Sequence, residues 1–209
     1  MKIYKSFYYF IILFSFSCRS QNNDTTKSQH KISIARAINN KALRISLNNR
    51  CNKDSIQKAI NLLEKAIKLD NACYMCYSNQ AQMFCDLKMY DKAINVLNRY
   101  LIHFPDKFNF EELKGFIFER MGNIDSANII YNKAIEEYNT KIKLDSSNIS
   151  LKINRAVLYF FTEGDDRAKR EYEKIIAEYP NDPMVNNMRE IFSSFDRKTY
   201  INNLFSDCN

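Results

Sequence analysis

The chain has 209 residues, 45% of them hydrophobic and 26% charged, with only three glycines and three prolines. That composition excludes a disordered chain and a turn-rich all-β domain, and it favours long helices on short connections. The net charge of +7 would point to nucleic acid only if it were clustered; instead lysines and arginines alternate with glutamates, as in "LEKAIKLD" and "DRAKREYEK", the pattern of a solvated helix face.

The first element is a targeting signal. Lys2 and Lys5 precede the apolar run 7–16, "FYYFIILFSF". This run is short for a membrane span and has the length of a signal-peptide core. Ser15 and Ser17 stand at the −3 and −1 positions before Cys18, so ordinary signal peptidase could cut after Ser17 and release a secreted chain; an uncleaved anchor is a further reading. A small residue directly before a cysteine, at the end of a short signal core, also resembles the lipobox of bacterial lipoproteins. Ser15 stands where that motif usually carries an aliphatic residue. The resemblance implies that 1–17 is a signal peptide and that lipidated Cys18 opens the mature chain. The protein would then be anchored to a bacterial membrane and face the periplasm. Residues 18–31 show no apolar period and read as a flexible tether.

Beyond the tether a pattern repeats. Ala59, Ala93, Ala127 and Ala168 are each followed four residues on by Leu63, Leu97, Tyr131 and Tyr172, and three further by Ala66, Tyr100, Ala134 and Ile175. Steps of four and three put each set on one helix face. Twelve residues before the last three alanines stand small Ala81, Gly115 and Ala156, each with an aromatic three residues later: Phe84, Phe118 and Tyr159. Each unit therefore reads as two helices meeting at a small residue.

The 34-residue spacing and these positions resemble the tetratricopeptide repeat. The units are 40–73, 74–107, 108–141 and 149–182, within an array over 32–182. Pro105 and Pro180 fall at repeat ends. In "MGNID" (121–125) and "EGDD" (163–166), Gly122 and Gly164 suit the left-handed end of a first helix, with Asn or Asp next to cap the second. The seven residues between the third and fourth units keep the apolar phase Ile130, Ala134, Tyr138, Ile142. This predicts one lengthened helix to about Leu144. Residues 183–195 read as a capping helix, within a C-terminal segment 183–209. The fold expected is an all-α tetratricopeptide superhelix.

Three cysteines lie in "NACYMCYSNQAQMFC" (71–85). Cys76 and Cys85 would be about 13 Å apart along one helix, too far to share a zinc whose ligands lie about 2.3 Å away, so no metal is expected. A thioredoxin-like C-x-x-C belongs to βαβ surroundings, which this pattern lacks. Cys73 and Cys76 then read as a local disulfide, a redox pair, or thiols filling helix packing. Cys51 and Cys85, at equivalent positions on neighbouring helices about 8–10 Å apart, exceed the ~7 Å reach of a bridge.

No hydrolase, zinc-protease or phosphate-loop motif is present, so neither catalysis nor a cofactor is expected. In tetratricopeptide proteins the first helix of each pair lines a concave face that binds peptides or partner helices. By that resemblance the groove carries Arg44 and Asn48 in the first unit. The second supplies Met75, Ser78, Asn79, Gln82 and Asp86. The third supplies Glu112, Phe116, Glu119 and Arg120. The fourth supplies Ile153, Asn154, Val157, Phe160 and Phe161. The basic, amide-rich start suits a peptide backbone or carboxylate; the aromatic end suits an apolar anchor, or packs under the capping helix. The implied function is a non-catalytic scaffold or adaptor for a protein partner; the alternative is a thiol–disulfide accessory or enzyme using Cys73 and Cys76. Neither nucleic acid nor metal is an expected partner.

Overall fold

The structure, a computed structural model, describes residues 25–49, 51–105 and 107–205. The signal core and Cys18 lie outside the described residues. Among the latter there are ten helices: α1 (Thr25–Asn48), α2 (Lys53–Leu69), α3 (Tyr74–Asp86), α4 (Tyr90–His103), α5 (Phe108–Arg120), α6 (Ile124–Leu144), α7 (Ile149–Thr162), α8 (Asp165–Glu178), α9 (Pro183–Ser193) and α10 (Arg197–Leu204). They form two compact bodies, one running to Phe110 and taking in the chain from Asn203 on, the other spanning Glu111–Asn202.

The repeat positions are the core. Ala59, Ala93, Ala127 and Ala168 are all fully buried, as are Leu63, Leu97 and Tyr131, with Tyr172 only 4% exposed. Burying each such large side chain is worth about 1.5–3 kcal/mol, which is why a face spaced in threes and fours commits these segments to helix. Ala81 and Ala156 are likewise fully buried. At Gly115 a Cβ would stand 2.7 Å from Cε1 of Tyr131, so the third pair needs a residue with no side chain.

The turns follow the expected chemistry with one difference. Gly122 (φ 80°) is left-handed, and Asn123 caps α6 by accepting from the Ser126 N–H. Gly164 (φ 88°) is itself the residue before α8, so its neighbour Asp165 is the first helical residue and not the cap. Lys88 (φ 59°) makes the corresponding left-handed turn after α3 without a glycine. Asn52, Asn148 and Asp182 cap α2, α7 and α9 with their side chains. The α6 helix runs unbroken to Leu144, as its apolar phase predicts.

The tether expected over 18–31 is shortened, because α1 already begins at Thr25. Its contact seam explains why the pattern hid this early start. The buried residues of α1 are Ala35, Asn39 and Ala42, a narrow stripe of small or polar side chains at helical spacing. Such a stripe leaves no large apolar period to read.

Candidate functional site

In the N-terminal body, Met75, Ser78, Asn79 and Gln82 lie at i, i+3, i+4 and i+7 of α3, so they share one face. All four are half-buried. The opposite face carries Tyr77 and Ala81 into the core, where the Tyr77 ring meets Tyr100 at 5.0 Å. Asn79 donates through Nδ2 to Oδ1 of the buried Asn39 at 2.8 Å, which ties α3 to α1. Gln82 donates to Asp86 at 3.2 Å, and Asp86 is only 7% exposed, so it props the face rather than presenting it. Arg44 and Asn48 are exposed on α1. Away from this face, Arg99 grips Glu64 with two hydrogen bonds of 3.1 Å, and that contact leads in holding the Glu64 carboxyl below its ordinary value.

Cys73 and Cys76 are joined by a disulfide of 2.05 Å across the start of α3, with Cα atoms 5.3 Å apart. They are 6% and 0% exposed. Exchange requires a thiolate to reach a sulfur, so this burial speaks against a redox role. Cys51 is disulfide-bonded, and Cys85 is a buried thiol, so these two do not pair. Among the described residues no cluster of three or more His, Cys, Asp or Glu could hold a metal ion, and no helix is long and apolar enough to cross a membrane.

The C-terminal body corrects the expected open floor. Glu112, Phe116, Ile153, Val157, Phe160 and Phe161 are each 8% exposed or less, and the segment after α9 packs on three of them, Phe116, Phe160 and Phe161. The Phe195 ring stacks on Phe160 at 3.9 Å and 9°. Tyr200 meets Phe116 at 5.9 Å and Phe161 at 5.7 Å. Phe160 also touches Phe192 of the capping helix at 5.2 Å, which is the packing alternative drawn from the sequence. The half-buried Glu119 and Arg120 are engaged as well. Arg197 donates to both Glu119 oxygens, one bond being 2.8 Å, and Arg120 donates to Asn202.

Beneath these rings lies a buried polar pair. The Tyr138 hydroxyl donates to Glu112 at 2.6 Å, and Asn154 turns inward to hydrogen-bond the same hydroxyl. Burial raises the Glu112 carboxyl to about 7, against the opposing pull of Tyr138. Burial and the neighbouring Glu112 charge push the Tyr138 hydroxyl up, and the same two causes raise Tyr200. The Tyr131 hydroxyl donates to Glu119 at 3.1 Å, and burial followed by that carboxylate raises it too.

Phe195, Arg197 and Tyr200 are the contact residues that sequence reasoning missed. Two aromatics flanking an arginine in an otherwise polar tail are the signal that could have found them.

No curated protein sequence matches the chain. Among solved structures it resembles a tetratricopeptide repeat protein from Parabacteroides merdae, at 15% identity over 86% of this chain and 82% of that one, with a TM-score of 0.44. It also resembles the MamA protein, residues 41 to the end, from Desulfovibrio magneticus RS-1, at 16% identity over 73% and 97% of the two chains, with a TM-score of 0.39. A tetratricopeptide-repeat family model matches residues 154–182. That match falls on the α7–α8 pair, whose small seam residue and buried alanine recur at the same places in the two pairs before it.

Proposed function

We propose that this protein is a non-catalytic scaffold that binds a protein partner along the inner face of its repeats, held at a bacterial membrane by lipidated Cys18 and facing the periplasm. One observation carries the binding part: the α3 face of Met75, Ser78, Asn79 and Gln82 is polar, half-exposed and braced from behind by the Asn79–Asn39 bond. Side chains held in place by packing lose little freedom when a partner arrives. Amide and hydroxyl groups at helical spacing match the donors and acceptors of a peptide backbone. The anchor rests on the placement of Cys18 directly after the signal core.

A photo-cross-linking residue at Ser78 should yield a discrete adduct in envelope preparations, one that Arg44→Glu with Asn48→Glu abolishes. A cross-linker at the exposed Lys65 on α2, off this face, should not yield it. The same adduct from both positions would sink the inner-face reading. Separately, Cys18→Ala should move the protein from the membrane to the soluble fraction; identical fractionation of the two forms would remove the lipid anchor.

A further inference from the structure

In the C-terminal body a short segment of the chain itself packs over Phe116, Phe160 and Phe161. Residues 194–196 break the helix after α9 and lead into α10, only eight residues long, well under the ~12–15 that make an isolated helix even marginal in water. The segment is held by what it touches. Phe195 stacks on Phe160, and Tyr200 packs on Phe116 and Phe161. Between them Arg197 forks onto Glu119, donates to the Phe161 carbonyl at 3.2 Å, and lies 5.2 Å from the centre of the Phe161 ring.

The floor states what it requires. The Glu119 side chain is 7% exposed, while the arginine facing it is 37% exposed. A carboxylate so buried is costly to leave unpaired, so whatever covers this floor must bring a cation. The pairing is two-pronged and the cation lies over a ring, which suits planar guanidinium and not ammonium. The rings on either side call for aromatic partners two residues before that cation and three after it.

We propose that the inner face of the C-terminal body takes a partner segment with an aromatic residue, an arginine two positions on and an aromatic three further, and that residues 195–200 are the resident occupant such a partner displaces. This rests on the scaffold reading above and gives it a recognition rule. A tethered occupant competes at an effective concentration in the millimolar range for a short flexible linker, so the face is masked until a matching partner arrives.

The test uses the full chain and a fluorescent peptide reproducing residues 193–204. Fluorescence anisotropy should show at least tenfold tighter binding to Phe195→Ala with Arg197→Ala than to the unaltered chain. A peptide carrying Ala in place of its arginine should bind neither. In the unaltered chain, excess peptide should speed hydrogen exchange of the amides in 197–202, a readout that holds even if the double variant folds poorly. Equal affinity for both chains, or arm exchange indifferent to peptide, would overturn the proposal by showing a fixed cap. Peptide-reversible dimers in light scattering would overturn it in favour of arm exchange between two copies. If the peptide results are negative while the Ser78 adduct persists, the scaffold stands and only this occupant falls.

Discussion

Gly115→Ala sets two known effects against each other. In an open helix the change would stabilise by about 1 kcal/mol through helix propensity. Here the added Cβ would lie 2.7 and 3.0 Å from the Tyr131 ring and 3.1 Å from Cγ2 of Ile130. The ring cannot easily yield: Tyr131 is fully buried, its hydroxyl is bonded to Glu119, and its face meets Phe116 at 5.4 Å and Phe161 at 5.1 Å. Overpacking of this kind costs about 1–3 kcal/mol. Taken at about 2 kcal/mol, the middle of that range, the steric cost outweighs the gain and should leave the variant about 1 kcal/mol less stable. At roughly 2–4 °C per kcal/mol for a chain of this size, the melting temperature should fall by about 2–4 °C in far-UV circular dichroism. Tyr131→Leu in the Gly115→Ala background should cost less than it does alone, because the ring that clashes is gone. Gly122→Ala has no atom within 4 Å of its Cβ, so its loss should come from backbone conformation and be indifferent to residue 131. A Gly115→Ala chain as stable as the unaltered one would refute the close approach of α5 and α6.

Lys88→Gly should raise stability by about 0.5–1 kcal/mol in urea titration, since the lysine sits at φ 59° where glycine is unstrained; a loss would mean the lysine side chain makes a contact worth more. Glu112 predicts a pH slope. Its folded-state carboxyl is raised to about 7 from 4.5, so between these values the folded protein keeps a proton that the unfolded chain has lost. Stability should therefore fall as pH rises through that window, by up to about 3 kcal/mol. Glu112→Gln, which can still accept from Tyr138, should flatten that part of the curve; an unchanged slope would assign it elsewhere.

The helix pairs were legible because their signals are local. Alanine, large apolar and small residues at fixed steps report one face of one helix, and Gly122 reports its own backbone. The lengthened α6 was legible for the same reason, as its apolar phase runs through Ile142. The candidate site was legible only in part. Met75, Ser78, Asn79 and Gln82 do share a half-exposed face, a consequence of helix periodicity alone. The fate of Phe116, Phe160 and Phe161 depends on residues 34 to 84 positions further along the chain, and nothing local encodes that contact. The Glu112–Tyr138 pair spans 26 residues, and no pattern of types announces a buried carboxyl. The early start of α1, at Thr25, escaped because its seam is made of alanine and asparagine.

The extra length of α6 has a rotational consequence. Each residue turns a helix by about 100°, so seven residues return within about 20° of the starting orientation while advancing roughly 10 Å. The insertion thus acts as a spacer that is nearly silent in phase. Ala134 and Tyr138 stay buried along the lengthened helix, as a phase drift of only about 20° allows. Five added residues would have swung the next pair through about 500°, placing its seam residue Ala156 well off the stack. An insertion of two turns therefore lengthens a helix while keeping its buried face in phase.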